Sequence, residues 1–189
     1  MIKAWAICGV AIATAISTIG PAAAVYPERP ITTIVAWPAG GATDLVARGL
    51  QEALGKSLGQ QVIVKNVPGA AGTIGTSEAA AATADGYTIL ITPSGPTVAQ
   101  PHRMKLTYDL SSFDPICKLV EQPLVLMATK STKYKTIADL IAAAKAAPGK
   151  ITYGTSGPGS ITHLAKLALE KAADIKLKHA PFKGSADAV

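Results

Sequence analysis

Apolar runs alternate with stretches of helical periodicity along residues 25–189. The run Ile31–Trp37 (ITTIVAW) predicts a buried strand, and Val62–Lys65 and Tyr87–Thr92 predict two more. From Thr43 onward the apolar positions recur at helical spacing, which predicts a helix that Gly59 ends. An alanine-rich helix is predicted between the second and third strands. This β-α-β-α-β order predicts a parallel sheet with helices packed on it.

The same alternation is predicted again in the second half of the chain. Helices are predicted over residues 136–147 and about 161–171, with strands ending at Tyr153 and spanning 176–180. A Pro- and Ser-rich loop (93–112) and an apolar stretch (116–128) broken by Pro123 lie between the halves. We therefore predict a first α/β domain over residues 25–122 and a second over 123–189. The second domain is expected to be incomplete, because the chain stops at Val189 without a closing element.

Residues 1–24 have a different character from the rest of the chain. Lys3 is followed by the uncharged, apolar run Ala4–Ile19 and a small-residue site at 22–24, as in a secretory signal peptide cleaved before Val25. A membrane anchor is the alternative. The run is marginal for spanning a bilayer, and Gly20 and Pro21 interrupt it. We expect an exported, soluble mature chain.

Charge and cysteine content narrow the function classes. Without Lys3, 17 of the 18 basic residues face 12 acidic ones, a formal charge of +5. The basic residues are spread rather than clustered, which argues against nucleic-acid binding and allows only a mild attraction for anions. Cys117 would be the single cysteine of the mature chain, so no internal disulfide is expected, and we expect it to be buried and inert.

Three glycine turns follow predicted strands and precede predicted helices. They are the first glycine turn (37–44, WPAGGATD), the second (66–75, NVPGAAGTIG) and the third (153–160, YGTSGPGS). In open α/β sheets, ligands bind at such places. The second turn lacks the close glycine pair of a dinucleotide loop, and no lysine follows Gly159 as a P-loop requires. Nucleotide binding is therefore not predicted.

Signals for covalent or metal chemistry are also weak. Pro158 stands where a nucleophile elbow needs its last glycine, and the histidines at 102, 163 and 179 lack metal-ligand spacing. His163 has either a capping or packing role in the first turn of a helix or a catalytic one. Glu170 and Asp174 are expected on a solvated helix face. No metal or cofactor is predicted.

The turns instead suit a carboxylate. Helix N-termini carry partial positive charge and free N–H groups, which accept a carboxylate as readily as a phosphate. Two such ends facing each other could hold both ends of a small dicarboxylate. The alternative is that the glycines only make tight turns.

The ordered series of motifs resembles the Bug receptors, extracytoplasmic solute-binding proteins linked to tripartite tricarboxylate transporters. The resemblance covers essentially all of residues 25–189. It is carried by Trp37–Asp44 with Ala47-Arg48, Asn66–Gly72, Asp85–Thr88, Tyr108-Asp109, Phe113 with Pro115-Ile116, Ala138–Leu140, Tyr153–Ser160, His163-Leu164 and Pro181–Gly184.

The resemblance implies a periplasmic-binding-protein-like α/β fold with two Rossmann-like domains, no catalytic activity and a small carboxylate ligand. It implies that the first-domain turns hold one carboxylate through backbone groups and waters, and that second-domain residues close over the ligand. The implied ligand-binding residues are Trp37, Ala39, Gly40, Gly41, Ala42, Thr43, Asp44, Gly69, Ala70, Ala71, Gly72, Thr73, Ser94, Thr155, Ser156, Gly157, Ser160, Lys183 and Gly184. Asp44 either caps its helix or orients a water or ligand group. Family members are distinctly longer, so the chain is expected to be truncated at its C-terminus.

Three functional hypotheses follow. The first is a periplasmic, monomeric receptor that delivers a carboxylate to the membrane subunits of such a transporter or to a sensor. The second is an exported α/β hydrolase-like enzyme whose catalytic residues lie in a missing segment. The third is a truncated product without function.

Overall fold

The computed structural model of the chain describes residues 25–184 and 186–188, so the predicted signal peptide lies outside the described residues. Its main elements are five strands and four α-helices, joined by turns and short helical segments. In chain order they are β1 (Ile31–Val35), α1 (Ala42–Leu58), β2 (Val62–Asn66), α2 (Thr73–Ala80), β3 (Thr88–Ile91), α3 (Ile137–Ala146), β4 (Thr152–Thr155), α4 (Ile161–Ala173) and β5 (Lys178–Pro181). Among the described residues, no helix combines the length and apolar character needed to cross a membrane.

The first sheet has three parallel strands in the order β2-β1-β3. β1 is central, and Ile31 and Val35 are fully buried, as expected of a strand covered on both edges and both faces. Val35 pairs with both Asn66 and Ile91, so all three strands end at the same edge of the sheet. The predicted β-α-β-α-β order with a parallel sheet is confirmed.

Helix α1 begins earlier than the capping prediction assumed. Its N-cap is Gly41, which makes no side-chain cap bond, so the prediction that Thr43 or Asp44 is the cap is wrong. Asp44 is instead the third helical residue, and its carboxylate reaches back to accept from the N–H of Gly40 at 2.8 Å. The helix ends as predicted at Gly59, whose φ of 68° lies in the left-handed region that favours glycine.

The second sheet pairs β4 with β5 in parallel. Its core contains the buried side chains of Ala144 from α3 and of Ile175 and Leu177. α3 is capped by Thr136, whose hydroxyl accepts from the N–H of Asp139 at 3.1 Å. The predicted strands and helices of this half are confirmed, with bounds that shift by about two residues.

Two burial predictions are wrong. Cys117 is exposed rather than buried, because it lies in a segment (113–136) that forms no helix or strand and packs in neither core. Glu170 is not on a solvated face. Its Oε1 accepts from Lys166 Nζ at 2.8 Å and from the N–H of Leu177 at 2.6 Å, because the chain folds back after α4 to begin the next strand.

The apolar stretch 116–128 lies almost entirely on the surface. Ile116 and Val125 are 77% and 71% exposed. The division into domains at 122/123, which we keep as a proposal, falls within this stretch.

Candidate ligand-binding cleft

A cavity of about 600 Å³ lies between the loops that follow β1, β3 and β4 and the segment 117–124. The carboxyl ends of parallel strands are where α/β folds place their ligand sites. The cavity wall includes seven of the residues that the resemblance implied. They are Trp37, Gly41, Ala42, Thr43, Ser94, Ser156 and Ser160.

The other implied residues lie beside or behind this wall. Ala39 and Gly40 are exposed in the first glycine turn, and Lys183 is exposed after β5. Asp44, Thr155 and Gly157 are buried in the turns they belong to. The residues that the structure does not place on the wall are Ala39, Gly40, Asp44, Gly69, Ala70, Ala71, Gly72, Thr73, Thr155, Gly157, Lys183 and Gly184.

The N-terminus of α1 forms one side of the cavity. Gly41, Ala42 and Thr43 line the wall, and the N-cap glycine offers no side chain to the first N–H groups of the helix. The first N–H groups of a helix have no partner within the helix and carry its positive dipole end. This side of the cavity therefore presents donors without a cationic side chain.

The N-terminus of α4 forms another side. Ser160 is its N-cap, and the Ser160 hydroxyl accepts from the N–H of His163 at 3.2 Å. The hydroxyl of Thr162 lies 2.9 Å from those of both Ser156 and Ser160. The Ile161 and Thr162 positions line the wall, so hydroxyls and a helix end meet there. Thr162 was not predicted, although a hydroxyl residue in the first turn after Ser160 is a readable signal.

The described wall carries few charges. Lys118 and Glu121 are its charged residues, and their side chains pair with each other at 2.7 Å. Both are largely exposed, so this pair contributes little. The described wall therefore offers an anion helix N-termini and hydroxyl groups rather than an unpaired cationic side chain. The described residues also hold no cluster of His, Cys, Asp and Glu able to bind a metal ion.

Asp44 organises the first turn from within. Its Oδ2 accepts from Gly40 N–H at 2.8 Å and from Arg48 Nε at 2.9 Å, and its Oδ1 accepts from Asn66 Nδ2 at 2.9 Å. The hydrogen bond from Arg48, followed by those from Gly40 and Asn66, lowers the pKa of Asp44 from 3.8 to about 2, although burial acts in the opposite direction. The carboxylate is therefore ionised and occupied by three donors. Asp44 therefore stabilises the start of α1 without being its N-cap, and its alternative role of orienting a water or ligand group stays a prediction.

Asn66 extends this network to the strand end. Its Nδ2 also donates to the carbonyl of Trp37 at 3.0 Å, and its Oδ1 accepts from Arg48 at 3.0 Å. Asn66 was not predicted as a site residue. The signal for it was a polar residue ending β2, in register with the end of β1.

The second glycine turn supports Trp37. A Cβ on Gly72 would lie 2.6 Å from Pro96 Cγ and 3.2 Å from the Trp37 indole, and its φ is +89°, so only glycine fits. The indole N–H of Trp37 is buried and has no hydrogen-bond partner among the described residues. The second turn thus holds the aromatic wall in place from behind.

The loops of the two sheets touch directly around the cavity. A Cβ on Gly184 would lie 2.8 Å from Pro38 Cδ. Gln100 Nε2 and Arg103 Nη1 donate to the carbonyl of Pro158 at 2.8 and 2.9 Å. The cleft is therefore bounded by close contacts between turns of both sheets.

Two parallel α/β sheets with a cleft at their strand ends are the arrangement of the periplasmic-binding-protein class. Solved structures of periplasmic binding proteins are similar to this chain. MatC (Rpa3494) from Rhodopseudomonas palustris with bound malate is 29% identical, with a TM-score of 0.80, over 86% of this chain and 56% of that one. R. palustris Rpa4515 with adipate is 31% identical, with a TM-score of 0.69, over 86% of this chain and 55% of that one. The predicted periplasmic-binding-protein-like fold is confirmed.

The family model described as tripartite tricarboxylate transporter family receptor matches residues 46–189. The chain belongs to this family, and the predicted Bug-type resemblance is confirmed. Protein BugT of Bordetella pertussis is 37% identical over 192 residues, which covers 100% of this chain and 59% of BugT. The chain spans about half the length of the curated relatives it matches. The family is one of receptors rather than enzymes.

Proposed function

We propose that the chain is a periplasmic receptor domain that captures a small di- or tricarboxylate, or a related organic acid, in the cavity between the first and third glycine turns. The observation that carries the proposal is the meeting of two helix N-termini at one cavity. Gly41–Thr43 of α1 and Ser160–Thr162 of α4 both line it. Such ends bind anions through backbone N–H groups and the helix dipole.

The chemistry of the wall supports a carboxylate in particular. Its hydroxyls from Thr43, Ser94, Ser156, Ser160 and Thr162 can each donate to an oxygen anion. The one cationic side chain on the described wall is already paired, so the ligand is recognised by many weak dipoles. The similar structures of MatC and Rpa4515 are with malate and adipate, which are both dicarboxylates.

The remaining features of the proposal follow from the family and the sequence. Residues 1–24 act as an export signal, and the mature chain works as a monomer in the periplasm without turning its ligand over. It delivers the ligand to the membrane subunits of a tripartite tricarboxylate transporter or to a sensor. The turn residues behind the wall, such as Gly69–Thr73 and Lys183, shape the cleft or complete it.

Calorimetric titration of the chain with malate and with adipate tests the proposal. We expect saturable binding of at least one of them, and no binding of adipamide, which has the same carbon chain without charge. In thermal unfolding, a ligand at a hundred times its dissociation constant should add about 2.7 kcal/mol to the free energy of unfolding.

Long incubation of the chain with its ligand distinguishes a receptor from an enzyme. We expect the ligand to remain chemically unchanged. A folded sample that binds neither dicarboxylate, or that binds adipamide equally well, would contradict the proposal.

A further inference from the structure

Two histidines that the sequence keeps apart are stacked in the structure. The rings of His163 and His179 have centroids 4.3 Å apart and planes inclined by 13°. His163 lies in the first turn of α4, and His179 lies on β5. The stack therefore joins the helix that opens at the cavity to the edge strand of the second sheet.

Each ring also holds one end of the third glycine turn. His179 Nε2 lies 2.6 Å from the hydroxyl of Thr155, and that hydroxyl accepts from the N–H of Gly157 at 3.2 Å. His163 Nδ1 accepts from the N–H of Gly159 at 3.0 Å. Ser156 and Ser160, which line the cavity, lie between and beside these fixed points.

The hydrogen bond to His163 fixes its protonation state. Because Nδ1 accepts from a backbone N–H, it carries no proton, and a neutral ring must have its proton on Nε2. A proton on Nδ1 would place two donors face to face and break the link to Gly159. Two charged rings at this separation would also repel each other.

The charged groups around the stack act mostly in the same direction. Lys166 on α4 and Arg103, from the segment between β3 and α3, oppose a positive charge on His163, and Glu170 favours one. Glu170 is itself paired with Lys166. Burial is the largest cause that lowers the pKa of both histidines, and the neighbouring charges contribute less.

We propose that the stacked pair His163–His179 is the positioning element of the third glycine turn, and that it holds this turn in its ligand-binding shape only while the His163 ring is neutral. This inference rests on the proposed function of the cleft. The rings touch the turn rather than the ligand. Protonation is therefore expected to release the turn and weaken ligand binding without changing the cavity residues themselves.

The experiment compares malate affinity across pH in the chain and its variants, by calorimetry from about pH 8 to about pH 5.5. His163→Asn keeps an acceptor at the position of Nδ1 but cannot titrate. We expect this variant to bind malate at neutral pH. On acidification its malate affinity should fall about tenfold less than that of the wild type, because a tenfold change in affinity corresponds to about one hydrogen bond. His102→Asn, which removes an exposed histidine outside the stack, should reproduce the wild-type profile.

Two further variants guard against a fold defect. Thr155→Val removes the hydroxyl that links His179 to Gly157 and should lower malate affinity about tenfold, whereas Thr155→Ser should restore it. Nitrogen chemical shifts of the His163 ring should report the neutral form with the proton on Nε2 at neutral pH, with or without malate.

The outcomes distinguish a failure of the positioning role of the histidine pair from a failure of the proposed carboxylate-binding function. Malate binding with identical pH profiles for the wild type and His163→Asn, or a His163 ring protonated on Nδ1, overturns the positioning role alone. Absence of binding for malate and adipate at every pH overturns the proposed function and this inference together.

Discussion

The side-chain amide of Asn66 donates to Asp44 Oδ1 at 2.9 Å, which ties the end of β2 to the first turn of α1. The same amide group donates to the carbonyl of Trp37 at 3.0 Å. One side chain thus joins the end of β2, the turn after β1 and the first turn of α1. Asn66 and Asp44 hold the first glycine turn without lining the cavity, and Gly41 to Thr43 line it.

Asn66→Ala should therefore lower the free energy of unfolding by about 1–3 kcal/mol, because Asp44 and the Trp37 carbonyl each lose a partly buried hydrogen-bond donor. Urea unfolding measures the change. Gln61→Ala, an exposed substitution in the preceding loop, should stay within about 0.5 kcal/mol of the wild type. Equal stability of the two variants would contradict the bracing role of Asn66.

The ionised state of Asp44 predicts an acid-dependent stability. Its pKa falls from 3.8 to about 2 on folding, so the unfolded chain binds the proton at higher pH than the folded one. The stabilisation is fully present above about pH 4, and it is lost as the pH falls through 3.8 toward 2. The difference between the wild type and Asp44→Asn in urea unfolding should therefore shrink over that range. Parallel curves down to pH 2 would show that Asp44 contributes nothing through its charge.

Gly41 offers a direct test of the first side of the cavity. Gly41→Val places a branched side chain at the cavity wall, and it should cost more malate affinity than Asp44→Asn, which changes a residue behind the wall. Calorimetric dissociation constants of the two variants decide the order. If both bind as tightly as the wild type, the first glycine turn does not hold the ligand.

Gly184 tests the contact between the two sheets. A Cβ there would lie 2.8 Å from Pro38 Cδ, too close for both loops to keep their places. Gly184→Ala should therefore weaken malate binding several-fold with little change in secondary structure, since the loops must separate slightly. Gly154→Ala is the matched control, because its Cβ would make ordinary contacts at 3.4 Å or more. Similar affinities for both variants would show that this contact is not needed for binding.

The first sheet was largely predictable because buried parallel strands are continuous apolar runs, and β2 and β3 contain the runs Val62–Val64 and Ile89–Ile91. The placement of the glycine turns at strand ends followed from the same pattern. The helix start at Ala42 was misjudged because a glycine N-cap leaves no side-chain signal, whereas Thr43 and Asp44 are frequent caps.

The side-chain networks could not be predicted in the same way. The bonds of Asn66 depend on the register of β2 against β1, and the stack of His163 on His179 depends on how α4 packs on β5. Neither is fixed by spacing along the chain. The exposure of Cys117 was missed because cysteines are usually buried when they lie in helices or strands that pack in a core. Residues 113–136 form no helix or strand.

The central position of β1 has a consequence for the order in which the protein can fold. Of the strands in the described residues, β1 is synthesised first, yet both of its edges are covered by strands that come later, the second of them ending at Ile91. Such non-local strand pairs form slowly, because the entropy cost of closing a long loop comes before the stabilising contacts form. Until residue 91 is available, an apolar strand keeps an unpaired edge that can recruit other chains. Fragments that end before Thr88 should therefore aggregate, and chaperones that hold nascent chains extended should matter most over this first segment.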